Sequence, residues 1–321
     1  MIRDRLERAL QALLHPAPAP IVPGAPATSA PASAPEGPRP PDPRKGLRNL
    51  VVVVLDSCRW DAFADAAPKE VLRLGPMERR WSYASWTGPS HYNLLTGLLP
   101  HRNPPHVHAS QVYRDEFLEY SRRLGTEVAF EALLPNLWLP HLLKWGLGYH
   151  TQARVSLPVL HPETGIGRDF DDFRLMDRHN DLAAMIDSLR FYADRPNFVL
   201  LNVGETHYPY ALAGEDASDL PRLHGVHGVA KKLVGGHGVA KADAPALFDA
   251  DMMDRLRRKQ RDVVAALDPL FARLWDTVPQ DTWVVVTADH GELFGEAGFF
   301  GHGPIIHEKV WEVPFVEGRI R

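Results

Sequence analysis

From residue 47 onward the chain alternates between short unbroken apolar runs and longer stretches with helical spacing. NLVVVVLD at 49–56 has no polar residue between its ends, the pattern of a strand buried on both faces. GYHTQARV at 148–155 is a weaker second run, NFVLLNV at 197–203 a third and DTWVVVTAD at 281–289 a fourth. AAMIDSLRFYA, before the third, and MDRLRRKQRDVVAALDPLFARLWDTV, before the fourth, carry apolar residues at helical intervals. This alternation predicts an α/β domain with a mostly parallel central sheet and helices on both faces. In such sheets chemistry gathers beyond the carboxyl ends of the strands. Three of these runs end in chemically capable residues: Asp56, then Glu205 and His207, then Asp289 and His290.

The pattern changes before residue 47. Residues 2–14 place Ile2, Leu6, Leu10, Leu13 and Leu14 near one face of a short amphipathic helix, a candidate docking element for a protein partner or for the main domain. Residues 15–46 hold many of the chain's 29 prolines and no aromatic residue. Such a segment buries too little apolar surface to offset its ordering entropy, so a disordered Pro/Ala-rich linker is expected there. The expected organisation is a helix at 1–14, a linker at 15–46 and one domain at 47–321. Within that domain, HGVHGVAKKLVGGHGVAK at 224–241 has no periodicity and reads as a surface loop despite its histidines.

Charge and cysteine content narrow the function. The formal net charge is −4, so general affinity for nucleic acid or anionic membrane is not expected. Cys58 is the single cysteine, which excludes an intramolecular disulfide and a cysteine-based zinc site and fits a reducing compartment. No apolar run approaches the ~20 residues that span a bilayer. The first residues mix acids with bases, unlike a secretory signal, and a cytoplasmic location is the expectation.

The segment SWTGPSHYNLLTG at 85–97 places Ser85, Thr87 and Ser90 around a Gly-Pro turn at a helix start. Taken singly, Thr87 or Ser90 is a helix N-cap, Asp56 a cap or loop residue, and His207 and His302 structural histidines. Taken together, they place carboxylates, imidazoles and a hydroxyl where neighbouring strand ends meet. Two carboxylates, an imidazole and an alkoxide suit a divalent cation such as Mn²⁺, Zn²⁺, Ca²⁺ or Mg²⁺. A cation beside Thr87 would favour its alkoxide, and a helix start there offers N–H groups to an incoming anion. That pairing suits attack on phosphate or sulfate esters.

Five stretches in order resemble the sulfatase-like branch of the alkaline phosphatase superfamily. VVVVLDSCRWDAF is similar to the first metal strand, TGPSHYNLLTGLLPHRN to the nucleophile segment, and LLKWGLGYHTQA with DFDDF to the second strand region. THYPY resembles a substrate-side histidine motif, and VVVTADHGELFGEAGFFGHG with EVPF the closing metal strand and loop. The resemblance covers roughly residues 49–315. It implies Asp56, Asp289 and His290 as cation ligands and Thr87 as nucleophile and candidate fourth ligand. It further implies His302 on the substrate anion, His207 on the leaving-group side and Arg59 as a loop-orienting residue. Where sulfatases place Cys or Ser within C/S-x-P-S-R, this chain has Thr87, which cannot become formylglycine, and His91 replaces the arginine. His91 is expected on the helix surface. Asp56-Ser57 followed by Arg59, with a threonine nucleophile, looks more like phosphoethanolamine transferases, lipoteichoic acid synthases and threonine-dependent phosphodiesterases. Those relatives imply a covalent phospho-threonine and a small-molecule or headgroup ester as substrate. The alternatives are a sulfatase with an unconventional nucleophile and a non-catalytic, metal-holding scaffold. The chain stops soon after EVPF, so most of the family's smaller C-terminal subdomain is expected to be missing and the cleft open or completed by a partner.

Overall fold

The computed structural model describes residues 46–103, 109–129, 137–215 and 250–320. The helix at 2–14, the linker and the loop at 224–241 lie outside these residues.

Each of the four apolar runs forms a strand: β1 (Leu50–Leu55), β3 (His150–Val155), β5 (Asn197–Val203) and β6 (Trp283–Ala288). Three further strands complete the central sheet: β2 (Glu78–Trp81), β4 (Asp172–Leu175) and β9 (Glu312–Arg319). The seven strands lie in the order β2-β9-β6-β1-β5-β3-β4. Strands β6, β1, β5, β3 and β4 are parallel, while β9 runs antiparallel to both β6 and β2. A separate two-stranded ribbon pairs β7 (Leu293–Phe294) with β8 (Phe300–Gly301).

Alternation along β1 divides the core. Val51, Val53 and Leu55 face one layer, packed with α1 (Trp60–Ala66), α4 (Leu182–Asp187) and α5 (Ala250–Thr277). Leu50, Val52 and Val54 face the other, packed with α2 (Thr87–Leu95) and α3 (Ala109–Leu124). All six β1 side chains are buried, each stabilising the fold by about 1.5–3 kcal/mol relative to exposure. A strand with helices on both faces has no solvent side, which is why its sequence carries no polar alternation.

The helical stretch before β5 is shorter than its spacing predicts. α4 ends at Asp187, and residues 188–193 leave the helix. Gln152 explains the break: its side chain accepts from Arg190 N–H and donates to Arg190 C=O, drawing that backbone onto β3.

The parallel register sets the site. Val203, Leu55 and Ala288 are direct partners at the carboxyl ends of β5, β1 and β6. The residues that follow these ends, Asp56 after β1 and Asp289 after β6, are therefore neighbours by construction.

Candidate functional site

Asp56, Asp289 and His290 are buried, and one ligand atom from each lies within 4.8 Å of the others. Thr87 Oγ1 stands 3.4 Å from Asp56 Oδ1 and 3.3 Å from His290 Nε2. Thr87 is the first helical residue of α2; the N-cap is Trp86, whose side chain makes no capping bond. The hydroxyl thus does not cap its helix but faces the carboxylates. Ser90 is turned elsewhere, its Oγ donating to the Ala84 carbonyl 3.2 Å away.

Several side chains hold this arrangement. Asn202, at an inner position of β5, donates from Nδ2 to Asp56 Oδ2 at 2.8 Å while its Oδ1 accepts from Ser156 N–H. Ser57 has φ of 59°, the left-handed region, at a cost of about 1–2 kcal/mol for a non-glycine residue. That conformation aims its N–H at Asp289 Oδ1, 3.0 Å away, and its Oγ–H at Asp56 Oδ1, 3.2 Å away. Gln260, on the buried stripe of α5, donates to the carbonyls of Ser57 and Thr206 and accepts from Arg59 N–H, tying the β1 and β5 loops together. Gly291 packs where a Cβ would collide with the Lys309 carbonyl, which fixes the backbone between His290 and Glu292. Arg59, two residues after Ser57 in the same loop, pairs with Asp61 and Glu296.

The electrostatics suit a cation. Burial pushes the Asp56 carboxyl up, but the charges of His207, His290 and His91 in their protonated forms and the Asn202 hydrogen bond outweigh it and bring it below the usual aspartate range. Burial, then the adjacent Asp56 charge, push Asp289 well above that range, against the N–H groups of Ser57 and His290. Two carboxylates this close and this dry cannot both ionise without a neutralising cation. The residues fit one. Asp289 Oδ2 is buried with no hydrogen-bond partner, the state of an atom kept for a ligand. Burial holds the His290 imidazole well below its ordinary value, so it is neutral. Its Nδ1–H donates to the Gly291 carbonyl at 2.8 Å, which leaves the Nε2 lone pair facing Thr87.

The two remaining sequence candidates border the same group. The His302 ring centroid lies 4.3 Å from that of His290 and 5.4 Å from that of His207. His207 Nδ1 donates to the Tyr208 carbonyl at 2.9 Å.

His91 departs from expectation. It is fully buried rather than on the helix surface, with Nδ1 2.9 Å from the Thr87 carbonyl and 3.7 Å from Asp289 Oδ2. The physical reason is its place on the stripe 87, 90, 91, 94, 95, the inward face of α2. Burial lowers its pKa, so it carries no charge to replace an arginine. Asn202 and Gln260 were not singled out from the sequence. Each is a lone polar residue on an otherwise apolar face, and that was the available signal.

No family model matches the sequence, and no curated protein matches it. Solved structures do match. A candidate sulfatase from Bacteroides thetaiotaomicron is 13% identical over 85% of this chain and 64% of that one, with a TM-score of 0.52. A 2-O GAG sulfatase is 13% identical over 86% of this chain and 65% of that one, with a TM-score of 0.50. The integral membrane protein lipooligosaccharide phosphoethanolamine transferase A from Neisseria meningitidis is 14% identical over 87% of this chain and 49% of that one, also with a TM-score of 0.50. The chain spans less than two thirds of the length of each of these three proteins. Among the described residues no helix is long and apolar enough to cross a membrane. With its mostly parallel sheet and strand-end cluster, the chain has the α/β fold of alkaline phosphatase and sulfatase type that these proteins share.

Proposed function

We propose that the chain is a metal-dependent hydrolase or transferase of phosphate esters that works through a covalent phospho-Thr87. The observation that carries this reading is Thr87 Oγ1 within 3.4 Å of Asp56 Oδ1 and His290 Nε2, buried beside an unpartnered Asp289 oxygen. Asp56, Asp289 and His290, with Thr87, are the residues that would hold a divalent cation. When bound, it would act as a Lewis acid that lowers the pKa of the hydroxyl and offsets charge on the ester.

The chain's own residues supply the rest. The Thr87 proton has an acceptor at hand in Asp56 Oδ1, since the His290 Nε2 lone pair would be committed to the cation. The Oγ1–P bond forms as the bond from phosphorus to the leaving alcohol breaks. His207 and His302 border the group; in this reading His207 would return a proton to the departing oxygen and His302 would meet the ester through Nε2. A water or acceptor alcohol then attacks the phospho-threonine and regenerates Thr87. Asn202 and Ser57 keep the Asp56 carboxylate in line throughout.

Purified full-length protein loaded with Zn²⁺ or Mn²⁺ should cleave bis(4-nitrophenyl) phosphate, and Thr87→Ala should lose at least ~10³-fold, the scale expected when a nucleophile is removed. Equal turnover by the variant would overturn the reading. Preference for 4-nitrophenyl sulfate would replace it with a sulfatase. A metal-stabilised protein that cleaves neither ester would replace it with a scaffold.

A further inference from the structure

Three imidazoles, His290, His302 and His207, lie side by side at the site, and each has its Nδ1 against an acceptor. For His290 and His207 that acceptor is a backbone carbonyl, Gly291 and Tyr208 respectively. His302 differs: its Nδ1 lies 3.2 Å from Glu292 Oε1, and Ser57 Oγ is 3.4 Å away. The Ser57 hydroxyl already has an acceptor in Asp56 Oδ1, so it does not need the imidazole as one. Glu292 is fully buried, and its second oxygen accepts from the hydroxyl of the equally buried Tyr210. Burial, and then the Glu292 charge, keep that phenol protonated and therefore a donor. The Glu292 backbone is itself held, since the Gly291 N–H donates to the Val310 carbonyl and Arg59 donates to the Glu292 carbonyl. A carboxylate placed in this way accepts only one kind of partner at His302, an N–H at Nδ1.

We propose that Glu292, backed by Tyr210, is a positioning residue that fixes His302 as the Nδ1–H form and so leaves Nε2 as the nitrogen that meets the ester. The catalytic contact belongs to His302; Glu292 acts through it. Because this orienting group is a side chain, it can be changed without touching the backbone. Glu292→Gln keeps the size and still accepts the Tyr210 proton through its amide oxygen. With its amide oxygen kept on the Tyr210 hydroxyl it presents an N–H₂ to Nδ1, which then accepts and carries the ring proton on Nε2.

The test uses the full chain loaded with Zn²⁺ and ¹⁵N-labelled at histidine. The His302 resonances are assigned by their loss in His302→Asn. Long-range ¹H–¹⁵N correlations should show Nδ1–H at His302 in the parent protein and Nε2–H in Glu292→Gln, with zinc content and melting temperature retained. The same tautomer in both proteins, or Nε2–H in the parent, would overturn the proposal. If Glu292→Gln fails to fold, Tyr210→Phe provides the second variant. It removes the backing hydrogen bond alone, and greater mobility of the His302 ring is expected in place of the parent's single form. A His302 ring unchanged in Tyr210→Phe would count against the proposal. The kinetic arm rests on the ester-cleavage reading: kcat for the aryl phosphodiester should fall ~10–100-fold in Glu292→Gln with KM nearly unchanged. A protein with the expected tautomers and no ester activity would sink the functional reading and leave the positioning role intact.

Discussion

Replacing Asp289 by asparagine should reverse its effect on stability according to whether metal is present. Asp289 Oδ1 accepts from the N–H groups of Ser57 and His290, and an asparagine oxygen can accept both. Oδ2 has no hydrogen-bond partner, and the Asp56 charge is close by. In metal-free protein the raised pKa of Asp289 means that folding favours its neutral form. That contribution is complete below the unfolded value near 3.8 and is lost as pH rises through the raised folded value. Asp56 is shifted the other way, so its contribution is present above its unfolded value and lost in acid. Asp289→Asn removes only the first of these. Metal-free variant and parent should therefore match in acid, and the variant should become more stable by about 1–3 kcal/mol above neutrality, the scale of an uncompensated buried polar group. Metal should invert the order. At ~100 times its Kd, a cation bound only by the folded parent adds about 2.7 kcal/mol. For a domain of this size that raises Tm by roughly 5–10 °C, with little change in the variant. Calorimetry of both proteins between pH 5 and 9, with EDTA and with Zn²⁺, reads these shifts. A parent whose Tm ignores metal, or a variant less stable at every pH with EDTA, would refute the reasoning.

Asn202→Ala should weaken metal binding ~10–100-fold in a chelator competition while the protein stays folded, because Asp56 loses the amide that orients it. Gln260→Met should lower stability to denaturant by about 1–3 kcal/mol, since the buried carbonyls of Ser57 and Thr206 lose their donor. Glu317 tests the structure away from the site. Burial pushes its carboxyl up, but Arg123 and Arg122 outweigh it and hold it at about 2 against an ordinary 4.5. A depression of that size contributes roughly 3 kcal/mol above pH 4.5, lost as pH falls toward 2. Glu317→Gln should flatten the acid limb of the parent's stability curve.

The sequence made the parallel centre of the fold legible because strands covered on both faces must be continuously apolar. β1, β5 and β6 show this, and their register then brings Asp56 beside Asp289. Strands β2 and β9 were hidden for physical reasons. β2 reads ERRW, and Arg80 is buried there with Glu78, Glu116 and the Pro100 carbonyl as its polar partners and the Phe315 ring beneath it. β9 carries Pro314 and Gly318, which argue locally against a strand. Its hydrogen-bonded place between β6 and β2 is a tertiary fact.

At the site, residues at strand ends could be read, whereas the polar residues behind them could not. Asp56, Thr87, Asp289, His290, His207 and His302 converge because they follow strands or open a helix. His91 was misplaced because nine residues of α2 mix Thr, Ser and His with Leu on one stripe, and a polar stripe resembles a solvent face until it is seen to line a site. Glu292 lies in the stretch VVVTADHGELFGEAGFFGHG, where the sequence gives it no role. Its partner His302 is ten residues away on the far side of the β7–β8 ribbon, and only folding brings the two within 3.2 Å.

The most direct test asks whether Thr87 carries the phosphoryl group. Metal-loaded protein is mixed with bis(4-nitrophenyl) phosphate, quenched in acid within the first turnover and digested. Mass spectrometry should find an aryl phosphate on the peptide containing Thr87, at that side chain, and nothing on the Thr87→Ala peptide. Rapid release of nitrophenol with Thr87 unmodified at every quench time, or the adduct on another residue, would contradict the account.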